Sequence, residues 1–355
     1  MDRLGRAPRR GGRSVLGRGA RGGGARHDSL GEERLTLAPG QRARTHLRRL
    51  AGVAALAVCV LFLARRVDLA LLGRALASAD YRLVGLMAAA HLVLFLGVKV
   101  WRWQLMLLPL KRLPLRRLYA YCLAGCAITN LFPARAGQAV RVALLRKDGV
   151  PVPGAVAVLV VEEICNAAVL GLLCVPLPFL LPLPPEVRVT LGVVAGGALV
   201  ALLLLVWAAR AGRARPSGLL RRAAEGLGVL REVRAAGAVF ALTIAMWLVD
   251  LGQIALAMNA VALPPSFAGA ALVLLFVNIT NAVPLTPGQV GLFEAGAAAA
   301  CVFVGATPEQ GIAVGVLYHM MQFVPETALG LVVLGRGALG PDWRSAAEAA
   351  PAENR

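Results

Sequence analysis

The sequence predicts an all-α polytopic membrane protein, with about six spanning helices and two broken or re-entrant helical hairpins in an inverted repeat. Three observations carry this expectation. The 355 residues are 58% hydrophobic and only 16% charged, with a mean hydropathy of +0.69, whereas soluble domains are roughly 45–50% apolar and about 25% charged. Six apolar stretches approach the ~20 residues that a helix needs to cross the hydrocarbon core. Two more apolar stretches are interrupted by Pro and Gly, and both carry the same motif. A disordered chain is excluded, and a water-soluble enzyme is disfavoured.

In chain order, residues 1–49 come first, with 13 Arg against four acidic residues. They read as a disordered Arg/Gly-rich cytoplasmic tail near anionic lipid. The tail has no aromatic residue, so base stacking is unsupported and no nucleic-acid partner is expected. The first apolar run begins only near Leu50, which argues against a secretory signal peptide. The spans are expected at about 50–66, 83–103, 154–175, 188–208, 236–259 and 310–334, with the broken stretches at 118–149 and 267–304. Residues 50–335 thus form one transmembrane domain, and 336–355 a second disordered cytoplasmic tail.

Orientation follows the distribution of Arg and Lys. With the N-terminal tail inside, the basic loop Lys111–Arg117, the Arg-rich stretch 209–235 and the C-terminus all fall inside. The Pro-rich loop 176–187 falls outside. This holds if each broken stretch returns to the face it entered from. Trp101 and Trp103 flank Arg102 and read as an interfacial anchor. The six cysteines have neither C-x-x-C spacing nor a nearby His, so they read as small buried hydrophobes and no metal is expected.

The repeat motifs occupy 128–138 and 279–289 and share the pattern I-T-N-x-x-P-x-x-x-G-Q. Farther on, Gly149 precedes Glu162 by the same 13 residues that separate Gly305 from Tyr318. Three spans lie between the motifs, and an odd number puts them on opposite faces. Inverted repeats of this kind build mid-membrane sites from broken helices, and irregular backbone at that depth must be buried in protein or line a wet cavity.

Ionisable residues in spans cost about 2.5–3.5 kcal/mol each and are functional candidates by default. Glu162 and Glu163 interrupt one span, and adjacent helical positions point ~100° apart, so at least one faces inward. Arg135 and Arg141 flank the first break and are the expected partners, able also to grip phosphate. Glu294 and His319 are the counterparts in the second half. Asp250 and Gln253 share a helix face, and Lys99 can snorkel to the interface. No nucleophile–base, zinc or Walker motif is present, and no cofactor is expected.

At these motifs the chain resembles the lysylphosphatidylglycerol synthase transmembrane family, also called flippase-like. The first signature is carried by Asn130, Pro133, Arg135, Gly137, Gln138 and Arg141, the second by Pro284, Pro287, Gly288, Gln289, Gly291 and Glu294. Gln138 stands where the family has Glu. Glu163 and Asn166 replace an Arg and an Asp, and His319 replaces an Arg. The resemblance implies translocation of a polar or glycosylated phospholipid, or support of lipid modification, without the synthase's soluble catalytic domain. The lipid-binding residues implied are Asn130, Arg135, Gln138, Arg141, Glu162, Glu163, Asn281, Gln289, Glu294 and His319, with an anionic or glycosylated headgroup as partner. Two rival readings stand beside translocation. One is a membrane-embedded transferase using Glu162 or Glu163 as base. The other is a non-catalytic partner docking a soluble transferase through 209–235.

Overall fold

The computed structural model describes residues 73–74, 76–132, 136–211, 218–282 and 286–335. The Arg-rich tail, the expected span at 50–66, Arg135 and the segment 336–355 lie outside them. The helices are α1 (Tyr81–Ala90), α2 (Leu96–Leu107), α3 (Leu115–Leu131), α4 (Ala136–Lys147), α5 (Val152–Cys174), α6 (Leu177–Leu180), α7 (Pro185–Ala211), α8 (Gly218–Gly226), α9 (Val233–Ala260), α10 (Phe267–Ala282), α11 (Leu292–Val302) and α12 (Pro308–Gly335). A π-turn, His91–Phe95, joins α1 to α2. Five segments are long and apolar enough to cross a bilayer: Tyr81–Leu107, Val152–Leu180, Pro185–Arg210, Val233–Ala260 and Pro308–Gly335. They coincide with the last five of the six spans expected from the sequence. The protein is an all-α polytopic membrane protein.

Local chemistry sets the helix ends. The Asp80 side chain accepts from the Arg82 N–H at the start of α1. Pro114 and Pro151 stand immediately before α3 and α5, and Pro185 and Pro308 open α7 and α12, where the missing N–H costs nothing. Gly149 (φ 80°) and Gly305 (φ 82°) follow α4 and α11. Each hands the chain on with the same closing bonds, Val150 N to Leu145 O and Ala306 N to Cys301 O. The ends of these two helices are thus built alike.

The broken stretches form two helical hairpins. In each, the second helix packs on the first, α4 on α3 and α11 on α10. α4 has 12 residues and α11 has 11, so they extend about 18 and 16 Å, far short of a ~30 Å hydrocarbon core. Small residues allow the close packing. A Cβ on Gly137 would lie 1.9 Å from the Gly125 carbonyl oxygen and 2.2 Å from Thr129 Oγ1. Gly330 brings α12 onto α3, where a Cβ would lie 2.3 Å from the Leu123 carbonyl oxygen. Between the hairpins the chain runs through α5, α7 and α9. The Arg-rich stretch is more structured than expected: α8 packs on α5, and Val229 and Leu230 just beyond it are buried.

Arg102 corrects the interfacial-anchor reading. It is fully buried, and Trp103 is 1% exposed, whereas Trp101 is 52% exposed. Only Trp101 faces outward, because the helical repeat turns its two neighbours into the bundle.

Gly137→Ala should lower the thermal midpoint in detergent by the equivalent of roughly 1–3 kcal/mol, the usual cost of overpacking. Gly97→Ala, where a Cβ meets nothing within 4 Å, should leave the midpoint unchanged or raise it.

Candidate functional site

Glu162, 3% exposed on α5, is held between two guanidiniums. Arg141 Nη2 donates to Glu162 Oε2 at 2.8 Å, and Arg102 Nη2 donates to Oε1 at 3.2 Å. Arg102 Nη1 also donates to Asn166 Oδ1 (2.6 Å) and Thr243 Oγ1 (2.9 Å). Asn166 lies one helical turn beyond Glu162, so both project from one face of α5. Arg141 Nη1 donates to Gln138 Oε1 at 3.0 Å, and its guanidinium lies over the Trp103 ring, 4.1 Å from the centroid. The network ties α2, α4, α5 and α9 together in a low-dielectric interior, where charge must be paired.

The second half carries a smaller counterpart. Glu294 Oε2 accepts from the Gly291 N–H at 2.6 Å, closing the start of α11. Glu294 Oε1 meets His319 Nδ1 at 2.7 Å, and the His319 ring stacks on Phe293 with centroids 4.3 Å apart. A third cluster joins the π-turn, α9 and α12. His91 Nε2 pairs with Glu326 Oε1 at 2.8 Å. Gln253, with its amide turned to satisfy both neighbours, donates to Asp250 Oδ1 (3.3 Å) and accepts from the His91 backbone N–H (3.2 Å).

These clusters surround a cavity of about 280 Å³. Six side-chain amides line it: Asn130, Asn166, Asn278, Asn281, Gln289 and Gln322. Lys99, Asp250, His319 and Glu326 supply ionisable groups, and Phe95, Trp247, Phe293 and Phe323 supply aromatic walls. A space of this size with so many polar partners holds water. Gly288 (φ 58°) and Gln289 (φ 60°) form part of the wall in left-handed backbone, a conformation costly for Gln and frequent at ligand-binding turns.

Of the residues singled out from the sequence, Asn130, Asn281, Gln289 and His319 line this cavity. Gln138, Arg141, Glu162 and Glu294 stand behind its walls in the pairs described. Glu163 is exposed, which leaves Glu162 as the inward member of the acidic pair. Asn130 Nδ2 donates to Thr327 Oγ1 at 2.9 Å, linking the first motif to α12. Sequence reasoning missed Arg102, Thr243 and Glu326. Glu326 follows Pro325, which sits inside α12, and a carboxylate beside a mid-helix proline was the available signal.

Glu162→Gln would leave two buried guanidiniums facing no carboxylate. It should destabilise the protein by roughly 3–5 kcal/mol, as removing one partner of a buried ion pair does, and read out as lost folded yield or a lowered thermal midpoint. Glu225→Gln breaks the exposed Arg221–Glu225 pair and should cost less than about 1 kcal/mol.

Among curated proteins, none matches the chain. The family model of the lysylphosphatidylglycerol synthase TM region matches residues 49–330, a range that contains both hairpins, the Glu162 network and the cavity. The chain therefore belongs to the lysylphosphatidylglycerol synthase TM region family.

Proposed function

We propose that this multi-pass membrane protein translocates a polar or glycosylated phospholipid across the cytoplasmic membrane, passing the headgroup through the amide-lined cavity. The observation that carries this reading is the cavity itself: six amides and four ionisable side chains gathered among helices that are otherwise apolar. Polar groups at that depth are costly, and a headgroup crossing the bilayer needs such a lining. Asn130, Asn281, Gln289 and His319 would meet the headgroup. Gln138, Arg141, Glu162 and Glu294 would hold the walls in place, and Arg135 and Glu163 would serve on approach. The two hairpins would be re-entrant and inverted, entering from opposite faces, with both chain termini cytoplasmic.

The test is scrambling in reconstituted vesicles. A fluorescent phosphatidylglycerol in the inner leaflet should become accessible to an impermeant quencher when the protein is present. An Asn130→Leu/Asn281→Leu double variant should slow this about tenfold, the equivalent of ~1.4 kcal/mol on the barrier. A wild-type rate equal to that of empty vesicles rejects the reading.

Topology can be checked separately. In a background without native cysteines, single cysteines at Phe132 and Ala282, both exposed beside the breaks, should react with an impermeant maleimide from opposite faces. Labelling from one face alone rejects the inverted arrangement.

A further inference from the structure

Lys99 is the unexplained charge of the cavity. It sits on α2, eight residues before Leu107, which places it about 12 Å inside that end of the span. Its side chain lines the cavity, so it does not snorkel to the membrane surface. Among the described residues its ammonium makes no hydrogen bond and no ion pair. Its nearest specific contact is the Phe95 ring, 5.8 Å from the centroid.

The carboxylates nearby are engaged elsewhere. Glu162 lies between Arg102 and Arg141, Glu326 meets His91, and Asp250 accepts from the Gln253 amide. None of the three forms an ion pair with Lys99. Water in the cavity can solvate this ammonium, but no carboxylate neutralises it; charge at this depth favours pairing, and an anion entering the cavity would supply it.

A second polar group points the same way. Gln289 Oε1 is buried at the cavity wall without a hydrogen-bond partner. The Gln289 Nε2 is turned to the Asn281 carbonyl at 3.4 Å, a long bond, so a turn of the amide would present the oxygen to the cavity. A buried acceptor left unpaired is costly, and a ligand hydroxyl would satisfy it once the amide has turned. A cation and a free acceptor on one cavity select a phosphate ester that carries a hydroxylated substituent.

We propose that Lys99 anchors the phosphate, and Gln289 Oε1 a hydroxyl, of a phosphate-ester headgroup bound in this cavity. This rests on the translocation reading for its biological use, but binding is measurable without transport.

The experiment is native mass spectrometry of the full chain in detergent with phosphatidylglycerol, phosphatidic acid or phosphatidylcholine added. The wild type should retain phosphatidylglycerol about tenfold over phosphatidylcholine, or ~1.4 kcal/mol. Lys99→Met should abolish that preference, and Lys99→Arg should keep it. Gln289→Met should weaken retention of phosphatidylglycerol while sparing phosphatidic acid, which has no headgroup hydroxyl. Lys99→Met removes no ion pair, so its thermal midpoint should match the wild type; if it does not fold, the Lys99→Gln variant supplies the same neutral comparison. Glycerol 3-phosphate alone, raising the midpoint in a Lys99-dependent way while no lipid is retained, would assign the site to a soluble phosphoester. Unchanged lipid preference in Lys99→Met overturns the proposal, as does loss of that preference in Arg135→Ala alone. Preference without scrambling leaves the phosphate site standing and removes translocation. Scrambling without headgroup preference does the reverse.

Discussion

One carboxylate shared by two guanidiniums organises the first half of this protein. Glu162 could not remain charged alone in the bundle, and neither Arg102 nor Arg141 could remain there without it. Their mutual need fixes α2, α4 and α5 to one another. Thr243 and Asn166, through Arg102, bring in α9. Because each guanidinium reaches its acceptors from a fixed fork, the network imposes a register as well as a contact. The cavity lies on the far side of that fixed wall.

Close packing of small residues does the complementary task. Within a bilayer no hydrophobic force gathers helices, so shape complementarity and polar contacts must do it. Gly125 and Gly137 let α3 and α4 touch backbone to backbone, and Gly311 and Gly315 do the same between α12 and α11. The two helices of each hairpin are therefore tightly packed, while Gln289, at the second break, keeps its Oε1 without a hydrogen-bond partner. That division explains how a chain so rich in Ala, Leu and Val can present a wet interior.

The sequence was informative about whatever depends on local pattern. Helix class, five spans and both breaks follow from apolar length and from Pro and Gly. That at least one of Glu162 and Glu163 faces inward follows from the cost of charge in lipid, whereas Glu294 and His319 are by sequence only counterparts in the second half, and their pairing is seen in the structure. What escaped depends on rotation about a helix axis. Arg102, between two Trp residues near a span end, looked interfacial, yet the helix phase places it at the centre of the network. Glu326 and His91 lie 235 positions apart, and no local spacing announces such a pair. Lys99 was visible, but whether it escaped to the surface or faced a cavity could be settled only by where its neighbours packed.

The helix α7 packs on α5, where Gly171 lets Ala195 approach closely, and its other faces are largely exposed. It has 27 residues, about 40 Å of length, and in its most apolar window only 6% of the residues are buried. Glu186, Arg188 and Arg210 bound its apolar part, residues 189–209, which is about 31 Å long and so matches a ~30 Å oil layer; a thinner or thicker layer would make the helix lean or the leaflets adjust. The boundary of this molecule is thereby sensitive to how thick its host bilayer is. Acyl-chain length becomes a variable acting on the fold from outside, through a helix that shares no residue with the polar interior.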